Sequence, residues 1–95
     1  MTVAVVMEYE GATLDQYDEV IEILGFEPGG EGASGGLFHW VAATPTGVRI
    51  TDVWESQEAF EHFARDHIMP AVQKVGIPGA PTITVTDVHN YLTGP

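Results

Sequence analysis

Cysteine is absent from this 95-residue chain, and Lys and Arg together number only 3, against 14 Asp and Glu. Without cysteine there is no disulfide, no thiolate nucleophile and no Cys-ligated zinc or iron–sulfur site. The net charge of −11 repels phosphate backbones, which argues against nucleic acid as a partner. The same charge argues against docking to an anionic membrane surface. No apolar run reaches the roughly 18–20 residues of a membrane span, and no basic N-terminus precedes an apolar stretch. The expectation is a soluble, cytoplasmic protein. With 44% apolar residues the chain can bury a core, and its length fits one domain, 1–95.

Residues 2–9 are rich in β-branched side chains and read as a strand. Thr13, with Gln16 three residues on, is a capping box that opens a helix. Leu14, Tyr17, Val20, Ile21 and Leu24 form its inward stripe, and Gly25 stops it. Five glycines lie within 27–36, a connecting loop. Residues 37–44 and 48–55 read as two strands joined by a short turn at Pro45-Thr46. Ser56 caps a second helix with Phe60, Phe63, Ala64, His67 and Ile68 inward, and Pro70 should kink it or begin another short helix. Residues 82–91 form the last strand. The order is β-α-β-β-α-β, an α+β, ferredoxin-like pattern: a four-stranded antiparallel sheet with two helices on one face. The first strand is apolar on both alternations, Val3, Val5 and Met7 on one and Ala4 and Val6 on the other. A strand apolar on both faces is buried on both faces. That points to a homodimer whose sheets pack face to face.

The loop contains Gly30-Glu31-Gly32-Ala33-Ser34-Gly35, which matches G-x-G-x-x-G. The dinucleotide fingerprint follows a strand and opens a helix. Here the order is reversed, and Glu27 and Glu31 stand where phosphate would sit, so the segment reads as a connector or a lid. A two-residue turn at Pro45-Thr46 places His39 opposite Asp52 and Leu37 opposite Trp54. The pair serves either as an ordinary cross-strand contact or as a general base whose tautomer the carboxylate fixes. Trp54, Phe60 and Phe63 either fill the core or wall a small-molecule pocket. His67, on the same helical face, is either a core-edge histidine or a group that stabilises an oxyanion. His89 shares a face with Asp87, as a second carboxylate–histidine pair at the pocket or as part of an interface. His62, between Glu58 and Asp66, belongs to a solvated helix face. No H-x-H or H-x-x-x-H spacing marks a metal site and no cofactor motif is present, so neither is expected.

The stretch Asp52-Val53-Trp54-Glu55-Ser56-Gln57-Glu58-Ala59-Phe60 resembles a junction in the dimeric α/β-barrel superfamily, and most of all its antibiotic-biosynthesis monooxygenase-like branch. The resemblance implies a homodimer forming an α/β barrel, with a pocket between sheet and helices in each subunit. Relatives oxygenate aromatic polyketides to quinones without metal or flavin, degrade haem, isomerise lactones or cyclise polyketides. Trp54 matches the family's pocket-side tryptophan. Ile50 and Phe60 stand where the polyketide oxygenases carry Asn and Tyr, and Gln73 where the haem-degrading branch carries its axial His. The implied function is a pocket for a small hydrophobic aromatic or polyketide-like molecule, with monooxygenase, isomerase or cyclase chemistry. His39, Asp52 and His67 are its candidate catalytic residues, and Trp54, Phe60, Phe63 and His89 its candidate substrate contacts. The alternative is a non-catalytic ligand-binding or interaction module of the same fold.

Overall fold

A computed structural model describes residues 1–95. Strand β1 (Val3–Glu10) leads to helix α1 (Leu14–Leu24), then to the hairpin of β2 (Gly36–Thr44) and β3 (Gly47–Trp54). Helix α2 (Gln57–Phe63) runs through a π-helical turn (Ala64–Ile68) into α3 (Met69–Val75), and β4 (Thr82–Asp87) closes the order. The sheet is antiparallel throughout, in the order β2-β3-β1-β4. This is the ferredoxin-like β-α-β-β-α-β arrangement, with the helices on one face.

Local chemistry sets the element ends. The Gln16 amide donates to Thr13 Oγ1 (3.2 Å) and the Thr13 amide to Gln16 Oε1 (3.0 Å), a complete capping box. Gly25 ends α1 at φ 81°, a left-handed conformation that favours glycine. Ser56 Oγ accepts the Ala59 amide at 3.0 Å and starts α2. Pro70 stands in the first turn of a second short helix, α3, as expected. It cannot donate to the Asp66 carbonyl, and the backbone widens beforehand, with the Met69 amide reaching the Ala64 carbonyl five residues back.

The β2–β3 turn is the two-residue one expected, since Thr44 pairs with Gly47. A Cβ on Gly47 would lie 2.0 Å from the Tyr9 carbonyl oxygen, so only glycine lets β1 approach here. His39 pairs with Asp52 as expected, but a bulge between Gly36 and Phe38 sets Gly36, not Leu37, opposite Trp54. β4 stops at Asp87, short of the expected Tyr91. Asp87 pairs with Val3, the first residue of β1, and only one further backbone bond follows, from the Val88 amide to the Thr2 carbonyl at 3.0 Å.

The core lies between the sheet and the helices. Val3, Val5, Met7 and Tyr9 of β1, Val48, Ile50 and Trp54 of β3, and Phe60 of α2 make one buried cluster. The helix-free face is also apolar. Phe38 and Trp40 are 52% and 42% exposed there, and the register lines them up with Val53 and Thr51, then Ala4 and Val6.

Candidate functional site

The period of two along β3 puts Ile50, Asp52 and Trp54 on the helix side of the sheet, and β2 adds His39 and Val41. Asp52 therefore sits on one rung between Val5 and His39, and only 5% of it is exposed. An acid at that depth needs partners. Trp54 donates its indole N–H to Asp52 Oδ2 at 3.1 Å, and His39 Nδ1 lies 2.5 Å from Oδ1. The other ring nitrogen, Nε2, lies 2.5 Å from the hydroxyl of Tyr17 on α1. The Tyr17 and His39 rings also stack, 5.9 Å apart and 13° from parallel.

Proton positions follow from these partners. A carboxylate only accepts, so Nδ1 carries the hydrogen that Asp52 receives. In the neutral ring Nε2 then has a free lone pair and accepts from Tyr17. Burial, with smaller contributions from the Asp52 and Asp18 charges, pushes the Tyr17 hydroxyl up to about 12, so it remains a donor at neutral pH. Burial and then the Asp52 charge raise Tyr9 as well. The result is a chain of hydrogen bonds, Trp54 to Asp52, His39 to Asp52, and Tyr17 to His39. It fixes one tautomer of His39 and leaves its basic nitrogen directed at Tyr17.

This chain opens onto a cavity of about 980 Å³ between α1, the sheet and the glycine loop. Met7, Tyr9, Tyr17, Ile50, Trp54 and Phe63 line it, with Phe26, Ile68 and the whole of the 27–36 loop. The loop is thus a wall of the cavity. Trp54 and Phe63 meet at 5.6 Å between ring centres, which braces the inner end.

The other sequence candidates are placed differently. Phe60 packs against Trp54 (5.8 Å, 64°) in the core and does not line the cavity. His67 packs against Phe63 at 5.2 Å, with the rings tilted by 36°, but turns into a separate, smaller hollow beside Asp66, Pro70 and Lys74. His89 lies past the end of β4, exposed and away from both hollows, so it shares no strand face with Asp87. Phe63 borders both hollows. No three His, Asp or Glu side chains come together in a way that would hold a metal ion. The sequence pattern does not single out Tyr17 or Tyr9 as site residues, and Tyr17 reads as part of the α1 apolar stripe. Their signal was the hydroxyl itself, since a tyrosine on an inward face needs a partner for its O–H.

No protein-family model matches the chain, and no curated protein matches it. Solved structures do. A Chloroflexus aurantiacus protein assigned as an antibiotic-biosynthesis monooxygenase is 24% identical, with a TM-score of 0.65 over 99% of this chain and 100% of the other. The fold is the one these monooxygenase-like proteins share. A Streptomyces coelicolor monooxygenase solved with nanaomycin D is 21% identical, with a TM-score of 0.58 over 99% and 92% of the two chains. SnoaB, a cofactor-independent oxygenase from Streptomyces nogalater, is 11% identical, with a TM-score of 0.59 over 98% and 97%. No helix here is long and apolar enough to cross a membrane.

Proposed function

We propose that this chain is a single-domain, homodimeric pocket protein of the antibiotic-biosynthesis monooxygenase-like kind. Its substrate is a small aromatic or polyketide-like molecule, and its chemistry begins with proton abstraction by His39. The observation that carries this reading is the Asp52–His39–Tyr17 chain at the wall of an apolar cavity. Asp52 holds Nδ1, so Nε2 is the only basic nitrogen. A substrate phenol or activated C–H takes up that nitrogen when Tyr17 gives way, or passes its proton through the Tyr17 hydroxyl. Trp54 and Phe63 supply flat apolar walls. The carbanion or phenolate so formed reacts with oxygen or rearranges. The fold shared with a cofactor-independent oxygenase supports the oxygen branch. The apolar helix-free sheet face supports the homodimer, because Phe38 and Trp40 need cover.

The test is anthrone, a neutral aryl ketone with an activated CH₂. Anthrone plus O₂ gives anthraquinone plus water, read by absorbance and by oxygen uptake. The reading expects a rate above the uncatalysed one that His39→Ala removes. Binding without turnover, of anthrone or of related ketones and phenols, would instead support a non-catalytic binding module. One observation favours that second reading: Tyr17 already occupies the His39 Nε2 lone pair.

A further inference from the structure

Tyr9 is 94% buried by its 6% exposure, yet its hydroxyl makes no hydrogen bond to any group of the chain. Every fully enclosed polar side-chain atom in the molecule does have a partner. The Tyr9 oxygen is therefore the part of that side chain that meets open space, and Tyr9 lines the main cavity. A tyrosine hydroxyl that has no partner in the chain and faces a cavity is free to bond to whatever enters that cavity, water or ligand. The charge around it narrows that partner. Asp52, Asp18, Glu27 and Glu31 line the same cavity, and no Lys or Arg does. The three cations are elsewhere: Arg49 pairs with Glu8, Arg65 with Asp66, and Lys74 faces the smaller hollow. An anionic ligand would meet only like charge there.

We infer that Tyr9 is a substrate-positioning residue, whose hydroxyl donates to a carbonyl oxygen of an uncharged aromatic ketone, and that the cavity rejects carboxylate and phosphate ligands. This deepens the proposed function and rests on it. The hydroxyl is protonated at neutral pH, as burial dictates, so it serves as a donor. It holds the oxygen end of the ligand while the ring lies against Trp54 and Phe63.

The test is titration of the whole protein with α-tetralone, tetralin and naphthoate, followed through the Trp54 indole signal in proton–nitrogen correlation NMR. Tetralin has the carbon frame without the oxygen, and naphthoate adds a negative charge. The native chain should bind α-tetralone more tightly than tetralin by about 3–10-fold, the range of one neutral hydrogen bond. Tyr9→Phe should erase that preference and leave tetralin binding unchanged. The variant removes a hydroxyl with no partner in the chain, so it strands no polar group and folds normally. An undiminished preference for α-tetralone in Tyr9→Phe would overturn the role of Tyr9 and leave the cavity reading standing. Naphthoate binding as tightly as α-tetralone would overturn the charge selectivity. If neither neutral probe moved the Trp54 signal, the cavity reading itself would fail, and this inference with it.

Discussion

Tyr17 of α1 donates its hydroxyl to Nε2 of His39 on the edge strand β2, at 2.5 Å, while Asp52 holds the opposite side of the imidazole. Two groups far apart in the chain thereby set one proton pattern. The histidine lies on an edge strand and keeps 42% of its side-chain surface open even with both partners in place. The tyrosine covers its basic nitrogen and the aspartate orients it.

Replacing His39 by Ala leaves Asp52 and Trp54 bonded but removes the base. Turnover of anthrone should fall by about 100-fold or more, the usual contribution of a positioned general base. Oxygen-uptake rates on the purified variant measure it. Unaltered turnover would remove His39 from the chemistry.

Trp54→Phe keeps an aromatic ring against Phe60 and Phe63 but deletes the N–H that Asp52 Oδ2 receives at 3.1 Å. The buried carboxylate oxygen then lacks its donor. Stability should fall by about 1–3 kcal/mol, read from the midpoint of a urea melt. A midpoint equal to that of the native chain would mean that the indole N–H does not support Asp52.

Gly47→Ala would drive a Cβ to 2.0 Å from the Tyr9 carbonyl oxygen, and backbone has to move. The variant should lose more than about 1 kcal/mol, a fall in Tm of roughly 4–8 °C for each kcal/mol in a domain of this size. Calorimetry checks it.

The Tyr17 hydroxyl is raised to about 12 from its usual 10.0 by burial first and then by the Asp52 and Asp18 charges. The unfolded chain ionises this group first, so the stability linked to it is complete below pH 10 and is lost as pH rises toward about 12. Denaturant melts across that range should show falling stability, less steep in Tyr17→Phe. An identical slope in the variant would contradict the shift.

Trp40 is exposed on the helix-free sheet face, where the proposed dimer would cover it. Trp40→Glu should turn a dimeric mass into a monomeric one by light scattering, with far-UV circular dichroism retained. A native chain that is already monomeric at micromolar concentration would contradict the dimer.

Much of this architecture is legible in the residue order. Thr13 and Gln16 announce α1, Pro45-Thr46 sets the hairpin, and that two-residue turn fixes the pairing of His39 with Asp52. The readings that missed depended on long-range geometry. Leu37 is displaced from Trp54 by a bulge that no local pattern marks, and β4 ends at Asp87, opposite the first residue of β1. His67 packs on Phe63 as the helical stripe implies, yet it lies within the widened turn over Ala64–Ile68 and borders the smaller hollow, not the main cavity. Tyr17 reads as apolar stripe because periodicity weighs its ring and not its hydroxyl. Only the packing of α1 over the edge of β2 brings that hydroxyl to a histidine 22 residues away.

The tautomer of His39 tests the central claim most directly. Long-range proton–nitrogen NMR on the native chain at neutral pH reads which ring nitrogen carries the hydrogen. The account predicts a neutral ring with the proton on Nδ1, held by Asp52, and a bare Nε2 facing Tyr17. A ring protonated on Nε2, or one averaging freely between the two forms, would contradict it.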